Sequence, residues 1–308
     1  MKKIFVLGSL NIDLVFETMR MPKIGETVTA GGFFVGHGGK GANQATAAAK
    51  CGGHVIMFGA VGNDAFGKEL IASLKKAGVN IEHVQKIKGS SGKAIIIVEK
   101  ADNRIIVDKG ANAFVDSRKI IEELIKLALP GDIIAAQLET PQQVVFEVFE
   151  QAKKVGMVTT LNPAPASKLI DELYKYVDII TPNETEAEIL TGIYPKNEKD
   201  YLNIAQTFLK RGIPQTIITL GERGSVYINA EKMTVIPAYK VDAVDTTAAG
   251  DSFIGGLCSS LALGNDILDS IRFGTAVSAL TVTKKGAQKS IPDIQEIRRF
   301  IADIQMGD

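Results

Sequence analysis

Between residues 117 and 220 strand-like apolar runs alternate with helical patterns, and few architectures accommodate that rhythm. A helix is predicted over 117–129, a strand over 132–137, a helix over 142–155 and a strand over 158–162. A strand over 177–181, helices over 185–191 and 201–211, and a strand over 215–220 follow. Strands separated by helices run parallel, because each helix carries the chain back to the start of the next strand, and the helices then cover both faces of the sheet. The run 4–8 (Ile-Phe-Val-Leu-Gly) is apolar without alternation, as a strand buried on both faces requires. Ligands of such sheets sit beyond the carboxyl ends of the strands. Asn11, Glu139, Asn162, Asn183 and Thr219 all fall at or just past such an end.

The rhythm is broken on the amino-terminal side. A glycine-interrupted ribbon of β-branched and aromatic residues covers 25–35, and two β-rich runs, 93–99 and 104–109, flank the polar turn Lys100-Ala101-Asp102-Asn103. Together they predict a small separate sheet with little core of its own, for which covering an apolar face by dimerisation is physically reasonable. A further strand over 55–61 leads through the turn 62–67 into a helix over 68–77, and a β-like run covers 233–241.

A length of 308 residues allows one large α/β domain or two of ordinary size. Lys plus Arg equals Asp plus Glu at 35 each, which leaves no basic field for nucleic acid or anionic lipid and favours a small-molecule partner. Cys51 and Cys258 stand far apart among small or apolar residues, without metal-ligand spacing, and are expected to be buried and reduced. Asn11 and Asp13 interrupt the apolar start before it reaches signal-peptide length, and no apolar run approaches the roughly 20 residues of a membrane span. A soluble, cytoplasmic protein is expected.

The stretch 244–253, Val-Asp-Thr-Thr-Ala-Ala-Gly-Asp-Ser-Phe, is a tight turn of small residues that opens an apolar helix over 253–263. First-turn amides lack intrahelical partners and carry a positive partial charge, so small residues there admit an anion. Asp251 either caps this helix or takes a proton from an attacking hydroxyl while the amides hold the developing negative charge. Asn11 and Asp13, two apart on an extended chain, project to one side and can clasp vicinal hydroxyls; turn chemistry is the alternative. The stretch 36–44, Gly-His-Gly-Gly-Lys-Gly-Ala-Asn-Gln, satisfies G-x-G-x-x-G formally, yet it follows a broken ribbon rather than the first strand of a βαβ unit. Nor is it a phosphate loop, because Lys40 is followed by Gly41. His37 reads as a loop residue and Asp64 as a helix cap. Asn183 and Glu186 suit a helix cap and, equally, the hard-oxygen chemistry of Mg²⁺. Gly221 and Gly224 in Thr-Leu-Gly-Glu-Arg-Gly permit close approach of a nucleotide, or form a turn between strands.

Two of these stretches, Asp-Thr-Thr-Ala-Ala-Gly-Asp-Ser-Phe at 245–253 and Gly-Gly-Lys-Gly-Ala-Asn-Gln-Ala at 38–45, resemble the signatures of the ribokinase, or PfkB-like, family of carbohydrate kinases. The resemblance covers nearly the whole chain, with further motifs in family order. It implies an α/β three-layer sandwich with a mostly parallel central sheet, one domain over 1–308. A small β-sheet lid at about 12–36 and 92–110 is inserted in it, and many members dimerise through that lid. The implied activity is ATP-dependent phosphorylation of D-ribose at O5. A kinase for 2-deoxyribose, fructose or adenosine, or a non-catalytic sugar-sensing protein, are the alternatives. By resemblance Asp251 is the catalytic base, and the amides of Ala248, Ala249 and Gly250 form the anion hole. Asn11, Asp13, Gly39, Lys40, Asn43 and Glu139 hold the sugar together with Asp251. Asn183, Thr219, Gly221, Gly224 and Thr275 contact the nucleotide, and Glu186 serves Mg²⁺ through water. An activating K⁺ is implied at Asp245, Thr247, Thr281, Lys284, Gly286 and Ser290, partly through backbone carbonyls. Two positions depart from the pattern. Thr275 stands where the family often has Asn or His beside the adenine. Lys93 opens a lid strand where an apolar residue is usual, which reflects either a solvated edge or a sugar bearing an extra anionic group.

Overall fold

The computed structural model describes residues 1–99 and 102–307. Its elements are, in chain order, β1 (Lys3–Leu7), β2 (Asn11–Thr18), β3 (Gly32–Gly38), α1 (Lys40–Lys50), β4 (His54–Gly62), α2 (Ala65–Lys76), β5 (Val84–Ile87), β6 (Gly92–Glu99) and β7 (Asp102–Asp108). There follow α3 (Ser117–Leu127), β8 (Ile133–Ala136), α4 (Gln142–Val155), β9 (Val158–Leu161), β10 (Ile179–Ile180), α5 (Glu184–Thr191), α6 (Glu198–Lys210) and β11 (Gln215–Thr219). The chain ends with β12 (Ser225–Ile228), β13 (Met233–Ile236), α7 (Ala249–Ala262), α8 (Ile267–Val282), α9 (Ala287–Ser290) and α10 (Ile294–Gly307).

A nine-stranded sheet runs in the order β13-β12-β11-β10-β9-β8-β1-β4-β5, parallel throughout except that β12 is antiparallel to both its neighbours. β1 lies inside it, and its successive side chains enter different cores, Ile4 and Val6 on one face, Phe5 and Leu7 on the other. That is why its sequence is apolar without alternation. Helices α3 to α6 cover one face through Ile120, Phe149, Ala187 and Ile204, and α1, α2, α7 and α8 cover the other through Ala45, Leu70, Leu257 and Ile271. Fully burying an Ile, Leu or Phe side chain among these stabilises the fold by about 1.5–3 kcal/mol each, and truncating one of them to Ala leaves a cavity besides. The three-layer α/β expectation therefore holds. Cys51 and Cys258 are buried and free; burial pushes both thiols up to about 12, which makes them unreactive. No helix among the described residues is long and apolar enough to cross a membrane.

A second sheet, in the order β3-β2-β6-β7, stands at the carboxyl end of β1. Its register places Asn11 between Gly38 and Gly92, and Ile12 between His37 and Lys93. Since side chains alternate, Asn11 and Asp13 share one face, while Lys93 belongs to the other with Leu14, Phe16, Phe33 and Val35. That second face is apolar and open: Phe33 is 55% and Ile106 64% exposed.

Several local expectations are corrected. The ribbon predicted over 25–35 becomes strand only at Gly32, after the irregular, Pro22- and Gly25-containing segment, and His37 lies in β3 rather than in a loop. β2 carries Asn11 and Asp13 on extended backbone, so the turn alternative for that pair falls. The run 233–241 stops at Ile236, since Pro237 has no amide to continue the ladder. α3 ends two residues early, before Pro130, and the strand predicted over 177–181 shrinks to Ile179–Ile180. Antiparallel pairing of β6 with β7 bears out the hairpin, of whose predicted turn Lys100 and Ala101 lie outside the described residues. α7 begins at Ala249, four residues before the expected start, which changes the standing of Asp251.

Candidate active site

Asp251 occupies the first turn of α7 and is 7% exposed. It does not cap the helix. The cap is Ala248, in the left-handed conformation at φ 61°, which offers no side-chain bond to the helix amides. The carboxylate turns instead toward α1, accepting from Asn43 Nδ2 at 2.9 Å on Oδ2 and from Gln44 Nε2 at 3.1 Å on Oδ1. A left-handed L-residue costs roughly 1–2 kcal/mol, and here it re-aims the helix start. Ala249 donates to the Thr246 carbonyl at 3.2 Å, so its amide is engaged. The amides of Ala248, Gly250 and Asp251 have no acceptor among the described residues. A Cβ on Gly250 would meet nothing within 4 Å, so this end of the helix is open.

It opens onto a cavity of about 990 Å³, bordered by the first turn of α5, the turn after β11, the loop before α7 and one side of α8. Asn183, Thr219, Gly221, Gly224 and Thr275, the five residues expected at a nucleotide, all line it. Asn183 and Glu186 form a full capping box: Asn183 Oδ1 accepts from the Glu186 amide at 2.8 Å and Glu186 Oε2 from the Asn183 amide at 2.9 Å. Burial pushes the Glu186 carboxyl up, against the amide of Asn183 and the charge of Lys40. Thr275 donates its hydroxyl to the Ile271 carbonyl at 2.8 Å, so only its oxygen lone pairs remain for a ligand.

On the other side of Asp251, the turn from β1 to β2 is pressed against the start of α1. Gly39 sits at φ 87° and a Cβ there would lie 2.7 Å from the Asn11 amide nitrogen; one on Gly41 would lie 2.6 Å from that of Ser9. Only glycine permits this approach, which carries Lys40 and Asn43 to the end of β1. Glu139 accepts from Ser9 Oγ and from the Lys40 amide, the latter at 3.1 Å. Asn11 Oδ1 accepts from Asn112 Nδ2 at 2.8 Å, and Asn112 also holds both backbone groups of Leu10, at 3.0 and 3.2 Å. The Oδ1 of Asn43 is buried without a partner among the described residues. Burial raises the Asp13 carboxyl to about 7, helped by the negative charges of Glu139 and Asp251. The Lys40 ammonium is held above its ordinary range by Asp251 first, then Glu139 and Glu186, against burial. Asp13, Glu139, Asp251 and Lys40 thus act on one another's charge where Asp251 meets the second sheet, a polar cluster suited to a polyhydroxylated ligand.

The structure settles the reading of two other residues. Asp64 caps α2 by accepting from the Gly67 amide at 2.7 Å and also binds Ser91, so the cap reading stands. Lys93 lies 3.5 Å from Asp108 on the face opposite Asn11 and Asp13, where it cannot meet a ligand held by them.

Asp245 joins the loop before α7 to the loop before α9, accepting from the amides of Thr247 at 2.9 Å and Gly286 at 2.8 Å. Burial acts to raise its carboxyl, but the Thr247 hydroxyl and these amides outweigh it and lower it. The side chains of Thr281 and Ser290 are spent on the carbonyls of Val277 and Ala287, and Lys284 pairs with Glu296 at the surface. Thr281 and Ser290 keep hydroxyl lone pairs and main-chain oxygens for a cation, and Lys284 only its main-chain oxygen. Among the described residues no group of three or more His, Cys, Asp or Glu side chains is placed to hold a metal ion.

Sequence reasoning missed Gln44 and Gln137, both buried, and the clamp made by Asn112. Their partners lie 93 to 207 residues away along the chain, and no local pattern marks such pairs.

Residues 1–294 match the family described as pfkB family carbohydrate kinase. The chain is 41% identical to a ribokinase of Haemophilus influenzae over 97% of its own length and 98% of that protein, and 39% identical to a deoxyribokinase of Salmonella typhi over 97% and 98%. A solved structure of Arabidopsis thaliana ribokinase complexed with ribose and ATP superposes with a TM-score of 0.91 at 30% identity, covering 97% of this chain and 98% of that one. With the two signatures at 38–45 and 245–253 meeting around one buried carboxylate, and the match running nearly end to end, the chain belongs to the pfkB family of carbohydrate kinases.

Proposed function

We propose that the protein is an ATP-dependent ribokinase, transferring the γ-phosphoryl group of ATP to O5 of D-ribose. The observation that carries this reading is the buried Asp251 carboxylate, held by Asn43 and Gln44 beside free amides at the mouth of a cavity of about 990 Å³. Such a carboxylate accepts the O5 proton as the new P–O bond forms, while the bond from the γ-phosphorus to the β-phosphate oxygen breaks and ADP leaves. The amides of Ala248, Gly250 and Asp251 hold the charge on the transferring group. Asn11, Asp13, Gly39, Lys40, Asn43 and Glu139 hold the sugar; the buried free Oδ1 of Asn43 suits a sugar hydroxyl. ATP lies along the residues of the cavity, with its phosphates toward Gly250.

Glu186 offers a single hard carboxylate oxygen beside this route, which fits a Mg²⁺ ion that keeps most of its waters and borrows phosphate oxygens. When bound, that ion neutralises charge on the phosphates. Asp245 and Thr247, with main-chain oxygens of the 281–290 segment, are the residues for an activating K⁺. The second sheet is the lid of a single-domain enzyme, and its open apolar face is the dimer contact in a cytoplasmic homodimer. A deoxyribokinase at 39% identity favours 2-deoxyribose as the second candidate acceptor. ADP release measured with ATP, Mg²⁺, K⁺ and a panel of ribose, 2-deoxyribose, fructose and adenosine tests the reading. Ribose should give the highest kcat/KM. A higher value for another acceptor would move the assignment to it, and no acceptor-dependent release at all would end it. Replacing K⁺ by Na⁺ should lower the rate; an unchanged rate would remove the K⁺ site.

A further inference from the structure

Gln44, which holds Asp251, belongs to a group of buried side chains that the scheme above does not otherwise use. Gln44 is 1% and Gln137 0% exposed, and both point into the space between α1 and the ends of β8 and β9. Asn162 Nδ2 donates to the Thr181 carbonyl at 3.1 Å. A backbone carbonyl can only accept, so this bond fixes which end of the Asn162 amide is which. Its Oδ1 must then accept, and it does so from Gln44 Nε2 at 3.2 Å. The same Nε2 donates to Asp251 Oδ1 at 3.1 Å, using both amide hydrogens of Gln44. Gln44 Oε1 in turn accepts from Gln137 Nε2 at 2.6 Å. The chain Thr181, Asn162, Gln44, Gln137 thus has one internally consistent polarity, anchored at a group that cannot turn over. Asn43 differs: its Nδ2 is held by the Asp251 carboxylate, and its Oδ1, which has no partner among the described residues, is left to accept from a ligand.

We infer that Gln44 is the positioning residue of the base: locked by Gln137 and Asn162, it fixes the plane of the Asp251 carboxylate, leaving the Oδ1 of Asn43 to answer to the sugar. The inference rests on Asp251 being the base. Gln44 touches no reactant and acts only through Asp251.

A double-mutant cycle tests it. Gln44→Met keeps the volume and removes the donor. Its kcat should fall about 10- to 100-fold, the loss typical of a misplaced reacting group, with KM for ATP and sugar affinity within about threefold of wild type. In the Asp251→Asn background the same substitution should change the residual turnover less than about twofold, because Gln44 then has no base to hold. Gln137→Met, one bond further out, should show the same split with a smaller loss. Gln44→Glu sets a second carboxyl beside Asp251, and the pair shares a proton, so the acid limb of its kcat/KM profile should move up by about one pH unit or more. A kcat within twofold of wild type in Gln44→Met would overturn the inference, as would an equal loss in both backgrounds. If Gln44→Met does not fold, the near-isosteric Gln44→Glu decides, and an unmoved acid limb refutes the role. A wild-type protein without acceptor-dependent ADP release removes the kinase reading and this inference with it. An active wild type indifferent to Gln44 removes only the inference.

Discussion

Replacing Asp13 by Asn should make the ligand-free protein more stable at alkaline pH while damaging its sugar site. In the folded chain burial, then the charges of Glu139 and Asp251, lift this carboxyl from an ordinary 3.8 to about 7. The folded pKa lies above the unfolded one, so between these values the native state binds more protons than the unfolded state. Stability from this group is therefore complete below about pH 4, falls as pH rises, and is fully lost above about pH 7. A difference of about three pH units corresponds to a ceiling of about 4 kcal/mol, which relaxation and water entry reduce to about 2–4 kcal/mol. Asn has nearly the same shape and no charge to bury. For a chain of 308 residues this gain corresponds to a rise in Tm of about 3–6 °C at pH 8. Thermal unfolding of both proteins between pH 4 and 8 measures it, and the gap should shrink toward zero near pH 4. A gap that is absent at pH 8, or that widens as pH falls, would refute the reasoning. Ribose affinity of the same variant should drop at least about tenfold, the cost of losing a charged hydrogen-bond acceptor.

Three other substitutions separate stability from function. Gly250→Ala meets no steric obstacle and improves helix propensity, so Tm should hold or rise, yet the methyl group stands at the cavity mouth and kcat should fall at least about tenfold; unchanged turnover would count against the anion site. Asn112→Ala strips the partners from the Leu10 amide and from Asn11 Oδ1, so stability should fall by about 2–3 kcal/mol in denaturant titration, with KM rising for sugar more than for ATP; equal changes in both KM values would mean that Asn112 only supports the fold. Glu186→Gln keeps the acceptor for the Asn183 amide and so the capping box, but loses the charge. The Mg²⁺ concentration for half-maximal rate should rise about tenfold, and an unchanged Mg²⁺ dependence would remove Glu186 from the metal site.

The layered α/β core was legible because its signals are local. Apolar runs such as 4–8 and the helical pattern of 142–155 declare their burial within a dozen residues, and the positions just past the strand ends, Asn11, Glu139 and Asn183, follow from topology. The glycines at 38–41 and the small residues at 246–250 were legible for a different reason, since close approach of backbone leaves few choices of side chain. What stayed hidden depends on distant pairing. Nothing near Gln44 in the chain shows that Gln137 fixes its amide, and Asn112 resembles any polar residue after a hairpin until Leu10 is set beside it. Asp251 looked equally like a cap until α7 was found to start at Ala249, which puts the carboxylate inside the first turn and beside α1. Lys93 was ambiguous from sequence alone because only the register with β2 decides its face.

The central claim is that Asp251 is a proton acceptor facing unpaired amides, and Asp251→Asn tests it most directly. Asn43 can reverse its amide to suit the new side chain, so the fold and the sugar site should survive. Calorimetry should find ribose affinity within about tenfold of wild type, while ribose-dependent ADP release falls at least about 10³-fold. Turnover within tenfold of wild type, with ribose still bound, would contradict the account.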